Sequence, residues 1–259
     1  MRAPGGEVEQ PGGTLLPMDA PTDQLREDWN EPIAYERWYT SPLGQAYLAC
    51  IQRILVPWIT EVPQTKALDI GCGPGLVAER LFPADSKVVG ADCSFEMARR
   101  AKARARSGGR SHLAVAGSVE ALPFRSEQFQ VALCVNCLEF VENRAEAFRE
   151  IARVLAPSGI AIIGVLNRRS LWELARRLRR PFSRRSYYRG SFFTMEHLRS
   201  QIHAAGLEVQ EARTIVHFPP VSSSLLRSFY QQIEAIGQRL FPARGAVILC
   251  RAVKTPSYL

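Results

Sequence analysis

The stretch Lys66-Ala-Leu-Asp-Ile-Gly-Cys-Gly-Pro-Gly75 constrains the fold more than any other part of the chain. An apolar run short enough for one strand ends in three glycines at alternate positions, and a helical pattern follows to about Phe82. A strand, a glycine turn and a helix in that order open a βαβ unit. Glycine there lets backbone approach a ligand closely, and a helix N-terminus offers N–H groups without intrahelical partners.

The alternation continues down the chain. Lys87–Ala91, His112–Ala116, Phe129–Val135 and Gly159–Leu166 read as strands, and Ser94–Arg106 (Ser94 as N-cap) and Asn143–Leu155 as helices. A helix over Thr194–Ala205, a strand over Leu207–His217, a helix over Ser222–Leu240 and a strand over Ala243–Val253 complete the pattern. The apolar runs rarely alternate with polar residues, as expected of strands covered on both faces. This order predicts an α/β fold with a doubly wound, mostly parallel sheet. Upstream, Leu43, Tyr47, Cys50, Ile51, Ile54, Leu55 and Trp58 recur at helical spacing from Pro42 to Ile59, with Pro57 and Pro63 as the stop. Residues 1–24, with four Pro and four Gly, read as a disordered lead-in, and 25–259 as a single domain.

A dinucleotide site calls for G-x-G-x-x-G. Here the third glycine comes one residue early and Asp69 precedes the triplet. A carboxylate at that point repels a pyrophosphate and suits an ammonium group. The second strand ends at Asp92, 21 residues after Gly71, where a carboxylate can accept from both hydroxyls of a ribose. The ligand these residues describe has a ribose and a cation but no diphosphate.

The segment resembles motif I of the class I S-adenosylmethionine-dependent methyltransferases, in their small-molecule (type 11, ubiquinone-biosynthesis-like) group. The similarity runs from about Lys66 to Asn167 and resumes at Phe193–Leu207 and Gly245–Lys254. Gly117-Ser-Val-Glu-Ala-Leu-Pro-Phe124 looks like the family's loop beside the adenine, and Arg153-Val-Leu-Ala-Pro-Ser-Gly159 like its R-V-L-x-P-G-G turn. Tyr35-Glu-Arg-Trp-Tyr39 and Pro42-Leu-Gly44 resemble the N-terminal cap of small-molecule members. The resemblance implies a Rossmann-like seven-stranded sheet with a reversed last strand, and helical caps at about 25–60, 168–193 and 218–242. It implies S-adenosyl-L-methionine as cofactor. Asp69 and the backbone of Gly71, Cys72, Gly73 and Gly75 would hold its methionine part, Asp92 would bind the ribose, and Cys93 would also contact the cofactor. Met97, Ser118 and Val119 would meet the adenine (Met97 reads equally as core), Asn136 at the end of strand four would face the methyl group, and Tyr35 and Tyr39 would also bind the cofactor. Two positions depart from the pattern: Ser118 and Gln130 stand where the family usually has Asp. A hydroxyl is a weaker acceptor than a carboxylate.

A sulfonium methyl is already an electrophile, so positioning carries most of the catalysis. Glu139, just after strand four, reads as a base or substrate anchor, or else as a helix-start carboxylate. His217 reads as a substrate contact or a solvated loop histidine. His112, His197 and His203 show no metal spacing, and no metal is expected. The six cysteines are scattered, which suits a reducing compartment; Cys134 and Cys137 read as buried thiols.

Asn167–Gly190 holds nine Arg and one Glu, the whole of the chain's +8 excess. Leu171, Leu174, Ala175 and Leu178 share one helical face there, with arginines around it. Three readings stay open: a lid whose arginines receive an acidic substrate, a basic amphipathic helix on an anionic membrane surface (168–189), or a solvated flap. No recognition module accompanies the arginines, which argues against nucleic acid as a partner. The longest clean apolar run, Gly159–Leu166, is too short to span a bilayer, and residues 1–17 have no apolar core of the kind a secretory signal needs. The expectation is a cytoplasmic enzyme, or one peripheral at the membrane, that methylates a small or lipid-like molecule. An RNA or protein methyltransferase and a non-catalytic cofactor-binding protein are the alternatives. The acceptor and the oligomeric state are left open.

Overall fold

Seven strands form one sheet in the order β3-β2-β1-β4-β5-β7-β6. They are β1 (Lys66–Ile70), β2 (Lys87–Asp92), β3 (Leu113–Ala116), β4 (Phe129–Val135), β5 (Leu155–Leu166), β6 (Leu207–Ile215) and β7 (Val247–Lys254). Neighbours from β3 to β5 pair in parallel, and β7 runs antiparallel between β5 and β6. The computed structural model describes residues 32–62, 66–109, 113–179, 190–221 and 228–255. The lead-in at 1–24 and His112 lie outside the described residues, as does most of the second half of the arginine-rich segment.

Eight helices are described: α1 (Pro32–Thr40), α2 (Pro42–Thr60), α3 (Leu76–Leu81), α4 (Phe95–Ser107), α5 (Arg144–Val154), α6 (Leu171–Arg179), α7 (Met195–Ala204) and α8 (Tyr230–Leu240). Their starts follow the caps visible in sequence. Ser94 accepts from Met97 N, Asn143 from Glu146 N and Thr194 from His197 N. One face of the sheet packs Val131, Leu133, Ile160 and Ile162 against Leu43, Tyr47, Ile51 and Leu55 of α2. The other packs Leu68, Ile70, Ala132 and Ile163 against Phe148 and Ile151 of α5 and Leu198 and Ile202 of α7. Covering on both faces explains the continuous apolar strands.

Several boundaries depart from expectation: β7 starts at Val247 rather than Ala243, β6 ends at Ile215 rather than His217, and α8 starts at Tyr230, the expected helix residues 222–227 lying outside the described ones. Pro57 lies inside α2, which runs on to Thr60. β5 starts at Leu155 rather than Gly159, because Leu155 already pairs with Phe129 before a register shift. Gln130, at the position of the family's Asp, accepts from Lys66 N at 3.0 Å and so joins β4 to the start of β1. Among the described residues, no helix is long and apolar enough to cross a membrane.

Candidate active site

The strand order reverses at β1, whose neighbours lead through β2 to one edge and through β4 to the other. The crevice beyond the carboxyl ends of strands at such a point is where open α/β sheets bind ligands. Gly71, Gly73 and Gly75 all take positive φ (68°, 52° and 82°), conformations costly for any other residue. The loop's N–H groups are spent internally. Gly71 N and Cys72 N donate to Ala91 O at 2.8 and 3.1 Å, Gly73 N to the Asp92 carboxylate at 2.8 Å, and Gly75 N to Cys72 O at 3.0 Å. The first N–H groups of α3 lie beyond these four positions, from Leu76 on. A loop that keeps its donors for itself has little to offer a phosphate. Beside it stands Asp69, 4% exposed, whose Oδ2 is buried with no partner. An unpartnered buried carboxylate oxygen calls for a donor, best a cationic one.

Three tyrosines from α1 and α2 close over this loop. Tyr35 lies above Gly73, its Cε1 3.7 Å from where a Cβ would stand. Its hydroxyl meets that of Tyr39 at 3.3 Å, and their rings are 5.1 Å apart. Tyr47 accepts from Asn136 Nδ2 at 2.5 Å and packs edgewise on Trp38. Asn136 turns off the end of β4 at φ 55°, leaving its Oδ1 buried without a partner. Arg104 of α4 ties the layers together, bonding Glu36 of α1 at 2.6 Å, Glu79 of α3 at 3.2 Å and Pro74 O of the loop at 3.1 Å. With Arg100, it holds the Glu36 carboxyl down to about 2; the Arg100 bonds are the largest cause.

A family model described as a methyltransferase domain matches residues 68–163. An uncharacterized protein of Mycobacterium tuberculosis is 34% identical over 191 residues, which cover 73% of this chain and 63% of that one. The ubiquinone biosynthesis O-methyltransferase of Salmonella paratyphi A is 30% identical over 150 residues, 54% of this chain and 62% of that one. A crystal structure from Thermotoga maritima, described as a SAM-dependent methyltransferase and possible histamine N-methyltransferase, superposes with a TM-score of 0.62 at 23% identity. It covers 85% of this chain and 94% of that one. Residues 68–163 thus match a methyltransferase domain of the type 11 group, on a fold shared with S-adenosylmethionine-dependent methyltransferases. The match spans under two thirds of the first of these curated relatives' length.

The family's cofactor is S-adenosylmethionine, and the residues fit it. Asp69 Oδ2 and Asn136 Oδ1 are acceptors in want of donors, and the loop presents no free N–H at Gly71, Cys72, Gly73 or Gly75 that would favour a diphosphate. Asp92 accepts from Gly73 N through Oδ2 and from Ser94 N at 2.9 Å through Oδ1. A carboxylate has about four acceptor positions, so two stay open to a ribose.

The other expected residues fall in several places. The Cys72 side chain packs behind the loop against Gly90, and burial pushes its thiol well up. Cys93 is exposed beyond β2. Met97 is fully buried one turn into α4, and Val119 is buried near Leu122. Ser118 accepts from Glu120 N at 3.2 Å, with the Glu120 carboxylate 3.4 Å from its hydroxyl, so an Asp at 118 would face a like charge. Glu139 is buried on a short 3₁₀ turn (Leu138–Phe140) and accepts from Leu166 N. Burial raises its carboxyl to about 7. That bond makes it a staple between the ends of β4 and β5, and it also stands in the first turn of the 3₁₀ helix, as expected of a helix-start carboxylate. His217 is no solvated loop histidine: it is buried, Nδ1 lies 3.2 Å from Glu234 Oε1, and its backbone N donates to Glu234 Oε2. Sequence reasoning missed Tyr47, read only as one apolar position on α2; its hydroxyl carried no signal of a partner 89 residues away.

Burial, reinforced by Asp92 nearby, pushes the Asp69 carboxyl up to about 7. In the ligand-free fold, its contribution to stability is present below the ordinary carboxylate range and is lost as pH rises through about 7. A cation bound beside it favours the ionised form. The affinity for S-adenosylhomocysteine, whose amino group is cationic, is therefore expected to be full near pH 8 and to fall up to tenfold per unit below about 7. Calorimetric titrations from pH 5.5 to 8 check this. Asp69→Asn should flatten the profile, and a flat wild-type profile would remove Asp69 from the site.

Proposed function

We propose that the chain transfers a methyl group from S-adenosylmethionine to a small-molecule or lipid-like acceptor. The observation that carries this reading is the pair of unpartnered buried acceptors, Asp69 Oδ2 and Asn136 Oδ1, at a glycine loop whose N–H groups at 71, 72, 73 and 75 are taken. When bound, the cofactor supplies an electrophilic sulfonium methyl. Asp69 holds the ammonium end and Asp92 the sugar. Tyr35, Tyr39 and Tyr47 wall the crevice against water. Burial raises the Tyr39 phenol to about 12, so it stays protonated and does not act as a base at neutral pH. No described side chain has to abstract a proton. Positioning of the acceptor is worth about 7–11 kcal/mol in favourable cases.

The similarity to ubiquinone biosynthesis O-methyltransferases supports a small apolar acceptor. The orientation of α6 supports its arrival at an anionic membrane surface through 168–189, with the protein otherwise cytoplasmic. Leu171, Leu174 and Leu178 point outward, while Trp172, Glu173 and Arg176 point inward. Incubating the full chain with tritiated S-adenosylmethionine and a bacterial extract tests the proposal. Label is expected in the organic-soluble fraction, at least tenfold above an Asp92→Ala control. Label confined to RNA or protein would establish the runner-up class, and no transfer to any fraction would leave a cofactor-binding protein.

A further inference from the structure

α6 turns Trp172 toward Tyr47, with ring centroids 6.4 Å apart, and donates Trp172 Nε1 to Phe218 O at 2.8 Å. Its outer side opens on a second cavity of about 570 Å³, shared with Gly237 of α8 and the turn after it. Arg168, Arg169, Arg177 and Arg244 line it, against one carboxylate, Glu173. Glu173 is already shared between Arg176 and Arg177, at 2.5 and 2.7 Å. Arg169 pairs with Glu196 at 3.0 Å, whereas Arg168 and Arg244 form no ion pair among the described residues. Three apolar, solvent-facing residues share the wall with buried Ser170: Leu171 is 55% exposed, Leu174 54% and Phe241 60%. His217 closes the cavity from inside, fixed by Glu234.

Surplus positive charge beside an exposed leucine and phenylalanine wall is complementary to one kind of ligand. We propose that this cavity binds a single anionic amphiphile, with its phosphate or carboxylate head at Arg168 and Arg244 and its apolar chain along Leu171, Leu174 and Phe241. Guanidinium groups suit such heads because they donate in pairs to planar or tetrahedral oxyanions. A neutral apolar ligand would leave the arginines unused, and an inorganic anion would leave the leucines unused. The inference goes beyond methyl transfer and does not depend on it.

The test titrates the full chain with dodecyl phosphate below its critical micelle concentration. Dodecyl maltoside, inorganic phosphate and phosphatidylglycerol vesicles serve as the other arms. Saturable 1:1 binding of dodecyl phosphate is expected, at least tenfold tighter than either soluble control. An Arg168→Glu/Arg244→Glu double variant and, separately, Leu174→Ser should each weaken it tenfold or more. All three positions are exposed, so these variants should keep the wild-type melting temperature. Equal binding of dodecyl maltoside, equal binding of inorganic phosphate, indifference to the arginine variant, or binding to vesicles without uptake of the monomer would each overturn the proposal. S-adenosylhomocysteine uptake, measured on the same samples, separates failure of this cavity from failure of the cofactor site.

Discussion

Asp92→Ala is expected to lower the affinity for S-adenosylhomocysteine by at least about 100-fold. The native carboxylate does two things at once. It pins the glycine loop through Gly73 N and the start of α4 through Ser94 N, and it keeps acceptor positions for a ribose. Burial raises its carboxyl, and the bonds from Ser94 and Gly73 oppose that rise. Hydrogen bonds to a charged group contribute about 1.5–3 kcal/mol each, so losing two toward the ligand costs about 3 kcal/mol or more. Asp92→Asn keeps the shape and one acceptor, and should lose affinity by a smaller factor. Comparing melting temperatures of the two variants separates loop disorder from lost ligand contacts.

The largest expected effect on stability lies elsewhere, at Glu234. This carboxylate of α8 is 1% exposed and accepts from Val216 N (3.0 Å), His217 N (2.5 Å) and Gln238 Nε2 (2.9 Å), with His217 Nδ1 at 3.2 Å. It holds Val216 at φ 66°, a conformation a β-branched residue adopts only under constraint. Burial works against its ionisation, yet the bonds from His217 and Val216 hold its carboxyl below the usual range. Its stabilisation is therefore present at neutral pH and is lost as pH falls through that lowered value. Glu234→Ala strands two backbone donors and a buried histidine, at a cost of about 3–5 kcal/mol. For a chain of this length, that is a drop in melting temperature of roughly 10 °C. Glu208→Ala, on an exposed position of β6, should change it by less than about 2 °C. A calorimetric scan in which both variants melt alike would remove the Glu234–His217 pair from the fold's support.

Much of the scaffold is legible from local signals. Runs such as Phe129–Val135 are read correctly because strands covered on both faces carry no polar interruptions. Ser94 is readable as a cap because its hydroxyl acts on its own helix. The glycine triplet is readable because positive φ leaves a compositional trace. What escapes is set by partners distant in sequence. Whether Gly71 and Cys72 keep free N–H groups depends on Ala91, and the orphaned oxygen of Asn136 depends on how Tyr47 takes its amide. The bland faces of α6 conceal which way it turns. Which way the leucines face is fixed only where Trp172 finds Phe218 and Glu173 finds Arg176. His217 carries no pattern at all, since its partner stands 17 residues on.

The crevice at the ends of β1, β2 and β4 is proposed as a cation-and-ribose site. Isothermal titration of S-adenosylhomocysteine into the full chain at pH 8, beside Asp92→Ala at equal concentration, tests this most directly. One molecule per chain with wild type and at least about a hundredfold weaker uptake by the variant is the predicted result. No heat of binding with the wild type, or the same affinity in both proteins, would contradict it.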